Sequence, residues 1–128
     1  MADPIVDLID LKLAVADQVN NRELESFFPR FVGMAEAALR EILYIWEYKN
    51  QDFPGLYDTT SGTNWVLQRH PQVYLYLVSK EAAKFLMNVE MTQAYEALAQ
   101  EALARMRSYD DAGRWYNGVV SFGSAVMP

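Results

Sequence analysis

Leu75, Val78, Ala82, Phe85, Leu86 and Val89 recur at steps of three and four residues, while Gln72, Tyr76, Ser79, Lys80 and Lys84 mark the opposite face. That period predicts one unbroken amphipathic helix from Pro71 through Asn88, its apolar stripe turned to a core. Pro71 suits the first turn, where its fixed φ is helical and its missing N–H would have had no partner.

The same reading applied along the chain predicts three more long helices. The first starts at Asp3-Pro4, a cap carboxylate followed by proline, and runs to about Asn20. Ile5, Leu8, Ile9, Leu13 and Ala16 form its stripe, with Asp7, Asp10 and Asp17 opposite. Asn20-Asn21 breaks the pattern because both side chains compete locally for backbone hydrogen bonds. After a short turn near Glu23–Ser26, the second helix starts around Phe28-Pro29, with Ser26 or Phe27 near its cap, and runs to about Leu43. Its period is kept by Phe28, Val32, Ala35, Leu39 and Ile42. Glu36 and Arg40, four apart, read as a surface pair contributing a few tenths of a kcal/mol. The last helix spans roughly Met91 to Asp110, with Met91, Tyr95, Leu98, Ala102, Met106 and Tyr109 as its stripe. Only a few residues around Asn88–Glu90 join it to the Pro71 helix, so the two should pack antiparallel.

Two stretches lose the helical period. Tyr44-Ile45-Trp46-Glu47-Tyr48 is aromatic and partly alternating, which favours a short strand. The turn-formers Asn50 to Gly55 and Asp58 to Asn64 follow, so this segment reads as a loop or small hairpin projecting from a helical body. Asn64 could cap a short turn over Trp65–Arg69. After Gly113 the chain becomes apolar, aromatic and glycine-punctuated, unlike the polar ends most chains have. The expected fold is all-α: a small bundle of about four helices with a short aromatic loop or hairpin insertion and an extended C-terminal tail. The division is a helical domain over residues 1–113 and a tail over 114–128.

Composition narrows the classes. The 128 residues fit one domain, and 52% hydrophobic content supplies a real core. No apolar run approaches the ~20 residues of a membrane helix. Asp3, Asp7 and Asp10 stand where a signal peptide would carry basic residues, so export is not expected. Zero cysteines exclude disulfides, thiolate metal sites and cysteine nucleophiles. A net charge of -6 argues against clamping nucleic-acid phosphates, while suiting a pore that DNA passes without sticking.

Candidate chemistry is sparse. His70, the only histidine, could serve as a general base, but capping or packing the turn before Pro71 explains it more simply. No metal-ligand spacing and no phosphate-cradling glycine loop is present, and Gly33 reads as a point of close helix packing. Catalytic residues, cofactors and metals are therefore expected to be none. Two partner-binding candidates remain. The aromatic cluster Trp46, Tyr48, Phe53, Tyr57 and Trp65 either anchors a partner or folds back as a satellite core beneath the loop. The tail, with Arg114, Trp115, Tyr116, Val119, Val120 and Phe122, either engages another chain or docks on its own helices; the intermolecular reading is preferred because four amphipathic stripes already satisfy one another.

Several segments carry a resemblance. Leu11 to Val19 as a first helix, Asn21-Arg22-Glu23-Leu24, Phe28-Pro29-Arg30-Phe31, Ala35-Glu36-Ala37 and Leu39-Arg40 are similar to the opening of the adaptor, or head–tail connector, proteins of tailed bacteriophages. Gln68-Arg69-His70-Pro71, Tyr74-Leu75-Tyr76, Ala82-Ala83, Phe85-Leu86, and Tyr95 with Ala97 resemble the second half more specifically. Many relatives hold a long β-rich insertion where this chain has only Tyr44–Asn64. The resemblance implies a non-enzymatic virion protein, assembled in the host cytoplasm, that forms a ring, commonly dodecameric, beneath the portal protein. Such a ring contacts adjacent copies of itself and the next tail or neck protein, and DNA traverses it without sequence-specific binding. The tail from Arg114 would engage the portal, and either Asp7, Asp10 and Asp17 or Glu96 and Glu101 would line the channel. Competing readings are a helical interaction or regulatory module whose apolar tail binds a partner, a DNA-binding protein related to terminase small subunits, and a small enzyme built on His70.

Overall fold

A computed structural model describes residues 5–19, 22–48 and 52–118, with only the backbone path given for 22–23 and 110–118. The described chain contains five α-helices: α1 (Leu8–Val19), α2 (Phe28–Ile45), α3 (Trp65–Arg69), α4 (Pro71–Phe85) and α5 (Val89–Gly118). Single 3₁₀ segments lie at Arg22–Phe27 and Leu56–Asp58, and no strand occurs among the described residues. The all-α expectation holds. The strand expected at Tyr44–Tyr48 does not, because Tyr44 and Ile45 complete the last turn of α2.

Capping chemistry places the boundaries. Asp7 caps α1: its carboxylate accepts the Asp10 N–H at 3.0 Å, while the Asp10 carboxylate reaches back to the Val6 N–H at 3.2 Å. Helix α1 thus starts after Asp7 rather than at Asp3-Pro4, which lies outside the described residues. Proline opens α2 and α4 as expected. Asn64 caps α3 by accepting the Leu67 N–H at 3.0 Å.

Helices α2 and α4 both end in the same turn. The residue after the cap, Glu47 (φ 64°) or Met87 (φ 56°), enters the left-handed region. The next N–H then bonds five residues back, Tyr48 to Leu43 at 2.9 Å and Asn88 to Ala83 at 3.1 Å. This turn ends α4 at Phe85, short of Asn88. Asn88 then caps α5 by accepting the Met91 N–H at 2.9 Å.

Helix α4 is the hub, packed against α1, α2, α3 and most extensively against its antiparallel neighbour α5. Being surrounded, it is buried on more than its apolar stripe: Tyr74 and Ser79, the latter expected outside, are fully buried with Val73, Val78, Ala82 and Ala83. Phe85, Leu86 and Val89, expected in the core, are exposed at the hairpin tip. On α5 the buried set is Tyr95, Ala99, Ala102, Leu103 and Met106, while Leu98 and Tyr109 face out. Helix α1 carries two interleaved apolar sets, and the body takes the one not expected. Leu11, Val15 and Val19 are buried, whereas Ile9 and Leu13 are more than half exposed.

The long helices alternate in direction. The Leu8 N–H donates to Gly62 O at 2.8 Å, tying the start of α1 to the loop. The Tyr95 hydroxyl donates to Gln18 O at 2.8 Å, joining the end of α1 to the start of α5. The rings of Phe27 and Phe85 lie 4.7 Å apart, and those of His70 and Tyr109 5.6 Å. One end of the body therefore holds the α4–α5 turn and the start of α2. The other holds the end of α2 and the start of α4.

Gly33 has open space around it rather than a close neighbour. Gly33→Ala should therefore raise the unfolding free energy by about 0.5–1 kcal/mol, read as a higher urea midpoint with an unchanged slope. A lower midpoint would show that α2 needs the glycine.

Candidate assembly surfaces

The loop between α2 and α3 is held by a buried polar network that the sequence does not advertise. Glu36 is only 5% exposed. Its Oε2 accepts the Leu56 N–H at 2.8 Å and the Tyr74 hydroxyl at 2.7 Å. Asn64 Nδ2 donates to that same hydroxyl and to Pro54 O, both at 2.8 Å. One carboxylate, one phenol and one amide thus fasten both limbs of the loop to α2 and α4. Glu36 and Arg40 are not the surface pair expected. Glu36 points inward, and both side chains lie against Gly55, where a Cβ would come within 3.0 Å of Glu36 Oε1 and 3.4 Å of the Arg40 guanidinium.

Burial pushes the Tyr74 phenol far above its usual range; the donated Asn64 hydrogen bond opposes this, and the Glu36 charge adds to it. A pKa raised on folding contributes stability that is complete below about pH 10, where an unfolded tyrosine ionises, and is lost as pH rises beyond it. Urea midpoints should fall between about pH 9.5 and 11.5 more steeply for the native chain than for Tyr74→Phe. Tyr57 and Tyr95, also raised by burial, are common to both proteins and cancel. Parallel pH profiles would contradict the burial of this phenol.

The aromatic candidates divide. Tyr48 is buried, and its ring lies 6.0 Å from Trp46 and 6.2 Å from Trp65. Phe53 sits half-buried 6.4 Å from Tyr74. Arginines cover three of the rings: Arg40 over Phe53 at 5.3 Å, Arg69 over Trp65 at 5.6 Å and Arg107 over Trp46 at 5.2 Å. Tyr57 alone of the five is exposed. Tyr48 and Phe53 serve as flooring under the loop, and Tyr57 remains on the surface.

Of the tail candidates, Arg114, Trp115 and Tyr116 lie within α5, which continues through Gly118 rather than ending near Asp110. Val119, Val120 and Phe122 lie outside the described residues. His70 stands at the junction of α3 and α4 with its ring against Tyr109, a packing role. The acidic candidates are engaged: Asp7 and Asp10 in the cap of α1, Glu96 with Lys80 at 2.8 Å and Gln100 at 2.9 Å, and Glu101 with Arg105. No group of three or more metal-ligating side chains occurs among the described residues, and no described helix is long and apolar enough to cross a membrane.

Sequence reasoning missed the exposed apolar side chains gathered at the two ends of the body. At the hairpin end are Phe27, Phe85, Leu86, Val89 and Met87, the last 87% exposed. At the other end are Tyr44, Tyr109 and Ile45, the last 66% exposed. An open groove of about 530 Å³ lies beside Ile45, between α2 and α5. The signal was present for the first end, since Leu86-Met87 occupies a turn where glycine or a polar residue is usual.

A small helical body with apolar side chains exposed at both ends, and a fastened loop between them, defines a protein built to be assembled with others. The sequence model of the SU10 adaptor protein family matches residues 48–122, more than half of the chain, and the protein belongs to that family of phage head–tail adaptors. No curated protein and no solved structure matches it.

Proposed function

We propose that this protein is a structural adaptor of the phage neck that catalyses no reaction and forms a ring of identical copies, dodecameric by family resemblance, beneath the portal protein at the head–tail junction. It becomes part of the virion after assembly in the host cytoplasm. The ring extends the DNA channel and presents a platform to the next neck or tail protein. Besides Ile9, Leu13, Met34 and Leu98, exposed along the helices, the body carries two apolar end surfaces, and these are the observation that supports this reading. Helix α2 sets them apart by its 18 residues, about 27 Å. An adaptor must meet different bodies above and below, and a closed ring needs two unlike, complementary faces. A net charge of -6 suits a channel that repels DNA phosphates rather than holding them.

Within this reading the chain from Arg114 onward grips the portal. The buried side chains described on α5, Tyr95 to Met106, all precede that segment. A chain ended at Gly113 should keep its circular dichroism and lose no more than about 1 kcal/mol of stability, yet fail to cosediment with portal rings. Outright unfolding of the shortened chain would place the segment in the core, and undiminished portal binding would remove its assigned role.

A further inference from the structure

Helix α1 carries an apolar face that the body leaves uncovered. Ile9 and Leu13, one turn apart, are 68% and 52% exposed, and Val6 just before the helix is exposed as well. The opposite face of α1 is satisfied. Val15 and Val19 line a small cavity with Phe28 and Phe31 of α2, and the end of the helix meets α5 through Gln18 and Tyr95. Helix α1 thus fills the gap between α2 and α5 on one side of α4. The open groove lies on the other side, with Ile42, Ile45 and Trp46 of α2 facing Gln100, Ala104 and Arg107 of α5. One chain therefore presents an apolar ridge and a largely apolar groove on opposite flanks.

The two match in height, spacing and charge. The Tyr95 hydroxyl donates to Gln18 O at 2.8 Å, which sets the height of α1 against α5. Ile9 stands nine residues before Gln18, and Ala104 nine residues after Tyr95. Both therefore lie about 14 Å from that bond, toward the end that holds the start of α4. The same count sets Leu13 level with Gln100. Asp10 flanks the ridge about one turn in height from Arg107, the charged side chain of the groove.

We infer that copies of this chain stand side by side, each seating the Ile9 and Leu13 ridge of its α1 in the α2–α5 groove of the next. A ridge and a groove on opposite flanks cannot satisfy each other within one chain. Repeated at one height around an axis along the helices, the contact closes a ring. Side chains four apart on α1 pack between Gln100, Ala104 and Ser108, also four apart. A second copy supplies both an apolar cover for the exposed Ile45 and acidic charge toward Arg107. The inference rests on the proposed ring, whose neighbour contact it names. Two ridge side chains bury well below the ~800 Å² per partner of a stable pair, so free copies associate weakly and the portal gathers them.

The chain has no cysteine, so introduced thiols report this contact alone. Ile9→Cys and Ala104→Cys are made in separate copies, mixed, and mildly oxidised with and without portal rings. The mixture should give a disulfide between unlike copies about tenfold above the yield of either variant alone. Adding Ile45→Asp to the Ala104→Cys copy, or Leu13→Asp to the Ile9→Cys copy, should each cut that yield about tenfold with circular dichroism unchanged. Both cysteines in one chain should give a ladder of oligomers on the portal. Coupling of Ile9→Cys chiefly to itself, a mixture no better than its components under either condition, or yields untouched by both aspartates would overturn the inference. Cosedimentation of the native chain with portal rings is read separately. If it occurs without the mixed disulfide, the seat is wrong and the adaptor reading stands; the mixed disulfide without portal binding would uphold the seat and remove the portal role.

Discussion

Replacing Glu36 by alanine should cost about 3–4 kcal/mol of unfolding free energy, the largest loss expected from any single polar substitution here. The carboxylate accepts two hydrogen bonds in a site screened from water, from the Leu56 N–H and the Tyr74 hydroxyl. Removing it leaves both buried donors short of an acceptor, each at about 1–3 kcal/mol. Glu36→Gln keeps an acceptor oxygen in place and should cost only about 1 kcal/mol. Urea denaturation of the two variants separates the effects, and hydrogen exchange should show the segment around Leu56 opening first in Glu36→Ala. A loss below about 1 kcal/mol for the alanine variant would mean that the network does not hold the loop.

Assembly, by contrast, should be most sensitive to side chains that contribute nothing to the core. Met87→Asp at the hairpin tip and Ile45→Asp at the opposite end should each weaken ring or portal association by about 100-fold, as truncation of central interface residues commonly does. Both side chains are exposed on the described body, so melting temperatures should stay within a few degrees of the native value. Analytical ultracentrifugation with and without portal rings reads the association directly. Unaltered association by both variants would show that the apolar ends are incidental. Loss in only one would identify which end carries the contact.

Much of the fold was legible because its determinants are local. Proline at the starts of α2 and α4, the Asn64 cap and the short α4–α5 link all act within a few residues. What stayed hidden depends on distant neighbours. Glu36 and Arg40 have the spacing of an ordinary surface pair, yet the groups that claim Glu36 lie 20 and 38 residues away. Helix α1 offers two apolar sets at helical spacing, and only the position of α4 decides that Leu11, Val15 and Val19 go inside. Ser79 reads as polar surface until α4 is surrounded by four helices. Tyr44–Tyr48 alternates like a strand, but a left-handed residue at Glu47 ends α2 there and sends Tyr48 beneath the loop. For the candidate surfaces, the aromatic loop was visible in sequence, whereas the apolar ends, Leu86-Met87 apart, emerge only when helices distant in the chain are brought to the same side.

Imaging the full-length protein mixed with portal rings by cryo-electron microscopy weighs the whole account in one step. The expected result is added density in a closed ring of copies on the tail-proximal face of the portal, with the α4–α5 turn and the Ile45 end of each copy buried in contacts. Bare portal rings beside free monomers, at concentrations well above those at which head–tail components associate, would contradict it.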